Sequence, residues 1–170
     1  YNLIAYAPDS HVDTIHPDKP CLRDTCLRSR DLAFSVEEGD HLSSRDFTLA
    51  RASHTSGTVT DVLGGAPIAW ASIAVFDSNY QFLWSQWPTP ESGVFTTGKW
   101  PSGTYYVAAY DSWPGNCAFY ANRPCPSDRA DHAAIAAIGP TPVIVGDGET
   151  RTGIDIRIHG EDYVFSDGFD

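Results

Sequence analysis

From residue 56 to residue 159, apolar and polar side chains alternate in short runs, each bounded by Gly, Pro, Asn or Asp. Alternation with period two is the mark of a half-buried strand, and the breakers are turn residues. Seven strands follow from it. They are Ser56 to Asp61, Pro67 to Phe76, Tyr80 to Trp87, Gly93 to Thr97, Gly103 to Tyr110, Pro142 to Val145 and Gly153 to His159. The second carries apolar residues on both parities, which predicts burial on both faces. In the last, Ile154, Ile156 and Ile158 alternate with Asp155, Arg157 and His159. Seven short strands with dense turns predict an all-β sandwich. The Ala-rich stretch from Asp128 to Ile138 predicts one short helical turn.

The same pattern occurs twice, which decides the organisation. Tyr1-Asn-Leu-Ile-Ala-Tyr6 lies under Tyr105-Tyr-Val-Ala-Ala-Tyr110 at an offset of 104, and Lys19-Pro20-Cys21 lies under Arg123-Pro124-Cys125 at the same offset. Val36-Glu-Glu-Gly39 matches Val145-Gly-Asp-Gly148, and Asp46-Phe-Thr-Leu49 matches Asp155-Ile-Arg-Ile158, both at an offset of 109. Residues 1–50 therefore read as the C-terminal half of a unit whose whole copy spans 51–159, with residues 160–170 as a tail. The half copy should hold strands at Tyr1 to Tyr6, Asp31 to Val36 and Arg45 to Ala50. Its apolar Leu3, Phe34, Val36, Phe47 and Leu49 would face water unless strands from outside this chain cover them.

The blocks Ser56-Gly-Thr-Val-Thr-Asp61, Gly65-Ala-Pro-Ile-Ala-Trp-Ala-Ser-Ile-Ala-Val-Phe-Asp77, Glu91-Ser-Gly-Val-Phe95 and Trp100-Pro-Ser-Gly-Thr-Tyr-Tyr-Val107 together resemble the carboxypeptidase regulatory-like domain. That resemblance implies a transthyretin-like, Ig-like sandwich of seven strands serving as an accessory module, and it is nearly silent about function. The tail Val164-Phe-Ser-Asp-Gly-Phe-Asp170 is similar to a C-terminal ending of secreted proteins in xanthomonad-type bacteria, which implies that Asp170 is the natural C-terminus.

Composition agrees with a packed, turn-rich, secreted chain. Of the 170 residues, 42% are hydrophobic and 12% aromatic, enough for a core. A net charge of −11 with two lysines, Lys19 and Lys99, disfavours a nucleic-acid partner. No apolar stretch approaches the length of a membrane span. Methionine is absent and the chain starts inside an apolar run, as expected of a processed product. Cys21, Cys26, Cys117 and Cys125 allow three pairings, and two local disulfides, Cys21–Cys26 and Cys117–Cys125, are the economical one.

Candidate chemistry is sparse. The histidines His11, His16, His41, His54, His132 and His159 lack metal-site spacing, and neither a nucleophile elbow nor a phosphate loop occurs. No catalytic residue, metal or cofactor is expected. Lys19 and Lys99 read as exposed turn residues, unsuited to a buried covalent cross-link. The aromatics exceed what a sandwich core needs. Trp84, Trp87, Trp100 and Trp113 are candidate stacking platforms for a polysaccharide. Tyr163, Phe165 and Phe169 share one parity of the tail and form a candidate donor strand. Two functions follow. One is a non-enzymatic extracellular module of a stalk, adhesin or filament, whose copies join head to tail by strand complementation or whose half copy is completed by an N-terminal part of the same protein. The other is a carbohydrate-binding accessory domain of a secreted hydrolase.

Overall fold

A computed structural model describes residues 1–21, 26, 33–41, 43–86, 90–111, 116–128 and 131–159. The chain forms two compact units. The first comprises 1–54, 98–103 and 145–150, and the second 55–97, 104–144 and 151–170.

The second unit is a β-sandwich. Strands β4 (His54–Asp61), β5 (Ser72–Phe76), β6 (Phe82–Gln86), β7 (Val94–Thr96), β8 (Gly103–Tyr110), β11 (Val143–Val145) and β13 (Ile156–Ile158) fall within the seven predicted ranges, apart from His54 and Thr55 at the start of β4. One sheet runs β10-β9-β8-β5-β6 with β11 also on β8, where β9 is Cys117–Phe119 and β10 is Arg123–Pro124. The other runs β12-β4-β13 with β7 on β4, where β12 is Thr150–Arg151. The hairpin β9-β10 and strand β12 were not expected, because runs of two or three residues carry too little periodicity to read.

Every residue of β5 is buried. Its Ala74 and Phe76 join Ala108, Phe119 and Ile135 in one cluster. Ile73 and Val75, on the opposite parity, belong with Val107 and Ala109, all at most 1% exposed. Helix α1 (His132–Ile138) supplies Ile135 and is longer than the single turn expected. Its N-cap Asp131 accepts the N–H groups of Ala133 and Ala134, and Gly139 ends it in the left-handed region at φ 59°. Strand β5 starts five residues later than the pattern predicted, since residues 69 and 70 form a turn in which Trp70 has φ 70°.

The first unit departs further from expectation. Strands β1 (Ile4–Ala5), β2 (Thr14–Ile15) and β3 (Lys19–Pro20) form a small antiparallel sheet. Its buried apolar residues are Val12, Ile15, Cys26, Ala52, Trp100 and Val145. Residues 33–36 and 43–50 form no strand, against the expected Asp31 to Val36 and Arg45 to Ala50; residues 31 and 32 lie outside the described set. The physical reason is too short a ladder, in which Phe34 exchanges bonds with Tyr1 and Ala50 accepts the Val12 N–H: an extended segment counts as a strand only when a neighbour pairs with successive residues of its backbone. Lys99 is not the free turn residue expected. Its ammonium donates to the Ala7 carbonyl at 3.0 Å and pairs with Asp13 at 3.2 Å, with side chains 25% and 9% exposed.

Candidate functional site

The repeat survives in the backbone to the register. Ile4 faces Ile15 and Ala5 faces Thr14, while at offset 104 Ala108 faces Phe119 and Ala109 faces Ala118. Thr14 faces Pro20 and Ile15 faces Lys19, as Ala118 faces Pro124 and Phe119 faces Arg123. The bonds flanking these pairs repeat too. The His16 N–H donates to the Leu3 carbonyl as that of Tyr120 does to Val107, and Cys21 donates to Asp13 as Cys125 does to Cys117.

The later segments repeat at offset 109. Phe34 exchanges backbone bonds with Tyr1, at 2.9 and 2.6 Å, where in the full copy β11 pairs β8. The turn at 37–40 copies that at 146–149. In each, the acid at its end accepts the N–H three residues back, Asp40 from Glu37 at 2.8 Å and Glu149 from Gly146 at 2.6 Å. Gly39 and Gly148 hold φ 88° and 68° there, a conformation glycine adopts without strain. Asp18 and Asn122, both left-handed at φ 50° and 58°, accept the Thr48 and Arg157 N–H groups at 2.8 and 2.9 Å.

Among the features the half copy lacks, one pairing stands out in the full copy. Strand β13 runs parallel to β4, pairing Ile156 with Val59, Arg157 with Thr60 and Ile158 with Asp61. The Ile154 N–H donates to the Ser56 carbonyl, and Asp155 Oδ1 accepts both the Thr58 N–H at 3.0 Å and its hydroxyl at 2.7 Å. Gly57 lies so close to the Ile154 carbonyl that a β-carbon there would collide with backbone. Residues 45–49 are the counterparts of 154–158, and among the described residues no strand pairs with them. Asp46 and Thr48 are exposed, Phe47 and Leu49 half-buried. The Phe47 ring meets the His16 ring in a T-shaped contact, at 6.0 Å between centroids. This open edge is the candidate functional site.

A second feature is an apolar groove of about 410 Å³ in the sandwich, lined by residues including Phe76, Phe82, Tyr110 and Phe119. Beside it Tyr80 stacks on Tyr106 at 4.7 Å. A hydrogen bond between their side chains, then partial burial, raises the Tyr106 hydroxyl above its ordinary value. Burial, then the nearby Asp77 carboxylate, pushes Tyr105 up to about 12.

Both expected disulfides are present, Cys21–Cys26 with a Cα separation of 5.1 Å and Cys117–Cys125 with 5.4 Å. They are not repeat equivalents. Cys21 is the counterpart of Cys125, but Asp13 stands where the full copy has Cys117, so Cys21 closes onto Cys26 instead. Of the expected stacking residues, Trp100 is corrected: it is 1% exposed inside the first unit and offers no face to a ligand. Trp84 is half-buried on β6. Trp87, Trp113, Tyr163, Phe165 and Phe169 lie outside the described residues. The exposed tryptophan that sequence reasoning missed is Trp70, 67% exposed, which alternation had assigned to the interior of a strand. Among the described residues, no three His, Cys, Asp or Glu side chains gather as a metal site, and no helix is long and apolar enough to cross a membrane.

No protein-family model and no curated protein matches the chain. Solved structures do. The major pilin subunit of Bacillus cereus matches at 14% identity and a TM-score of 0.40, over 66% of this chain and 32% of that one. The pilus 2b backbone protein of group B streptococcus matches at 16% identity and a TM-score of 0.36, over 92% of this chain and 51% of that one. This chain thus spans about a third and about half of their lengths.

Proposed function

We propose that this chain is a non-enzymatic, extracellular structural module of a surface stalk, adhesin or filament. Its sandwich repeats complete one another by strand pairing, in an array formed by copies of the chain or by further repeats of the same protein. The observation that carries this reading is the half copy itself, which repeats the register of β8, β9 and β10 and the turn after β11 while no described strand pairs with residues 45–49. Two disulfides suit an oxidising, extracellular setting. The acidic composition suits a soluble surface rather than a nucleic-acid partner. The test is light scattering and electron microscopy of the native material. Linear or ring-shaped arrays of repeats, within one protein or between copies, are expected; native material in which residues 1–50 pair with no further repeat would overturn the reading.

A second reading, carbohydrate binding by an accessory domain of a secreted hydrolase, draws on one observation, the exposed ring of Trp70. A glycan array with the native chain and a Trp70→Ala variant tests it. Binding lost in the variant supports it, and binding equal in both removes Trp70 from consideration.

A further inference from the structure

Every bond that β4 makes to residues 154–158 has a counterpart position in residues 45–49, and this fixes what the open edge can accept. The full copy displays the occupant: a single extended strand, running parallel, with the sequence of β4. Three demands follow from its geometry.

The first is steric. Gly57 stands where a β-carbon would strike the Ile154 carbonyl. Arg45 is the counterpart of Ile154, so the residue laid over its carbonyl must be glycine. The second is polar. Asp155 Oδ1 takes both the N–H and the hydroxyl of Thr58, the residue after that glycine. Asp46 holds the equivalent carboxylate, exposed to solvent. A threonine, or a serine, after the glycine satisfies it through two hydrogen bonds, one of them donated by a hydroxyl to an ionised acceptor. The third is apolar. Val59, fully buried, faces Ile156 across the parallel pair, so a β-branched residue two positions after the glycine would face Phe47.

We infer that residues 45–49 are a docking edge for one parallel β-strand of pattern Gly-Thr-Val, in which the glycine crosses the Arg45 backbone and the threonine binds the Asp46 carboxylate. The inference rests on the reading of the chain as a repeat module and names the strand that completes it. It also discriminates between sources. Strand β4 of a second copy is already held between β7, β12 and β13, so it cannot leave without dismantling its own sandwich. The tail carries two glycines, Gly160 followed by Glu161 and Gly168 followed by Phe169, and neither following residue has a hydroxyl for Asp46. The occupant is therefore the leading strand of a further repeat half of the same type, a segment with the chemistry of residues 52–61.

A synthetic peptide of that sequence, ASHTSGTVTD, is the probe. It is added to the full 170-residue chain, and amide hydrogen exchange is followed residue by residue. Saturable binding that slows exchange across 45–49 by tenfold or more is expected, because a paired strand buries and bonds those amides. A peptide with alanine in place of glycine should not bind, and an Asp46→Ala chain, altered only at an exposed side chain, should bind the original peptide at least tenfold more weakly. Equal protection by the glycine and alanine peptides would overturn the inference, as would protection confined to other segments. Assembled native material with no peptide binding would refute this docking edge and leave the module reading intact. Peptide binding at 45–49 in a protein that never assembles would do the reverse.

Discussion

Five positions occur in both copies of the repeat and behave in opposite ways. Val107, Val143, Val145, Ile156 and Ile158 are each at most 2% exposed. Their counterparts are Leu3, Phe34, Val36, Phe47 and Leu49. Leu3 is 38% exposed and the other four are half-buried. The early strands of the two copies share one register, whereas residues 33–36 and 43–50 form no strand where the full copy has β11 and β13. What differs is the pairing: β13 lies against β4, and among the described residues no strand pairs with residues 45–49. Strand order and hydrogen bonding can thus be specified within a half repeat, while burial needs the other half. At about 1.5–3 kcal/mol for full burial of one such side chain, five half-covered ones forgo on the order of 5 kcal/mol.

The largest expected effect sharpens this contrast. Ile156→Ala should destabilise the sandwich by about 2–5 kcal/mol, because its side chain is fully buried. Phe47→Ala at the matching position should cost about 1 kcal/mol or less in the isolated chain. Chemical denaturation of both variants measures the difference, and equal losses would break the comparison.

Next come the disulfides. Replacing Cys117 and Cys125 by serine should cost about 2–3 kcal/mol, since the link closes the β9-β10 hairpin. Replacing Cys21 and Cys26 should cost a similar amount, with the loss confined to the first unit and read out as faster exchange at Val12 and Ile15. A loss spread evenly over both units would mean that the copies do not unfold separately.

A smaller effect is expected at the paired aspartates. Asp155→Ala removes two hydrogen bonds and should cost about 1–2 kcal/mol. Asp46→Ala should leave the isolated chain within about 0.5 kcal/mol of the original. Thermal melts of the two variants decide it, and a large loss at Asp46 would mean that its carboxylate already has a structural task.

The smallest effect is in alkali. Tyr105 titrates at about 12 in the folded chain, against the usual 10.0. The neutral phenol is the form favoured by folding, so its contribution is complete below pH 10 and falls as pH rises from 10 to 12. Tyr105→Phe should flatten that part of the stability curve. Its repeat counterpart, Tyr1, is 78% exposed. A Tyr105→Phe variant with an unchanged alkaline slope would assign the loss to other groups.

Much of the fold could be read before the structure, and the reasons are visible residue by residue. Seven strands announced themselves because each is bounded by breakers and alternates over several residues. The repeat was legible because Tyr-x-x-x-Ala-Tyr and Pro-Cys recur at one spacing. The pairing β9-β10 was not, since its strands have three and two residues. Trp100 and Trp70 were exchanged in role: Trp100, expected as a stacking platform, is buried, while Trp70, inside an apolar run, sits exposed on a left-handed turn. Of the open edge, the sequence revealed Asp46, Phe47 and Leu49 as repeat members. The need for glycine above residue 45 emerges only from the approach of two backbones, which no side-chain pattern records.

The central claim is that residues 1–50 are half a sandwich awaiting its partner strand. Amide hydrogen exchange at Phe47 and Leu49, measured in the isolated 170-residue chain and in the native assembled protein, tests it most directly. The account predicts fast exchange in the isolated chain and slowing by about a hundredfold on assembly, toward the rates of Ile156 and Ile158. Exchange at Phe47 and Leu49 already as slow as at Ile156 and Ile158 in the isolated chain would contradict it.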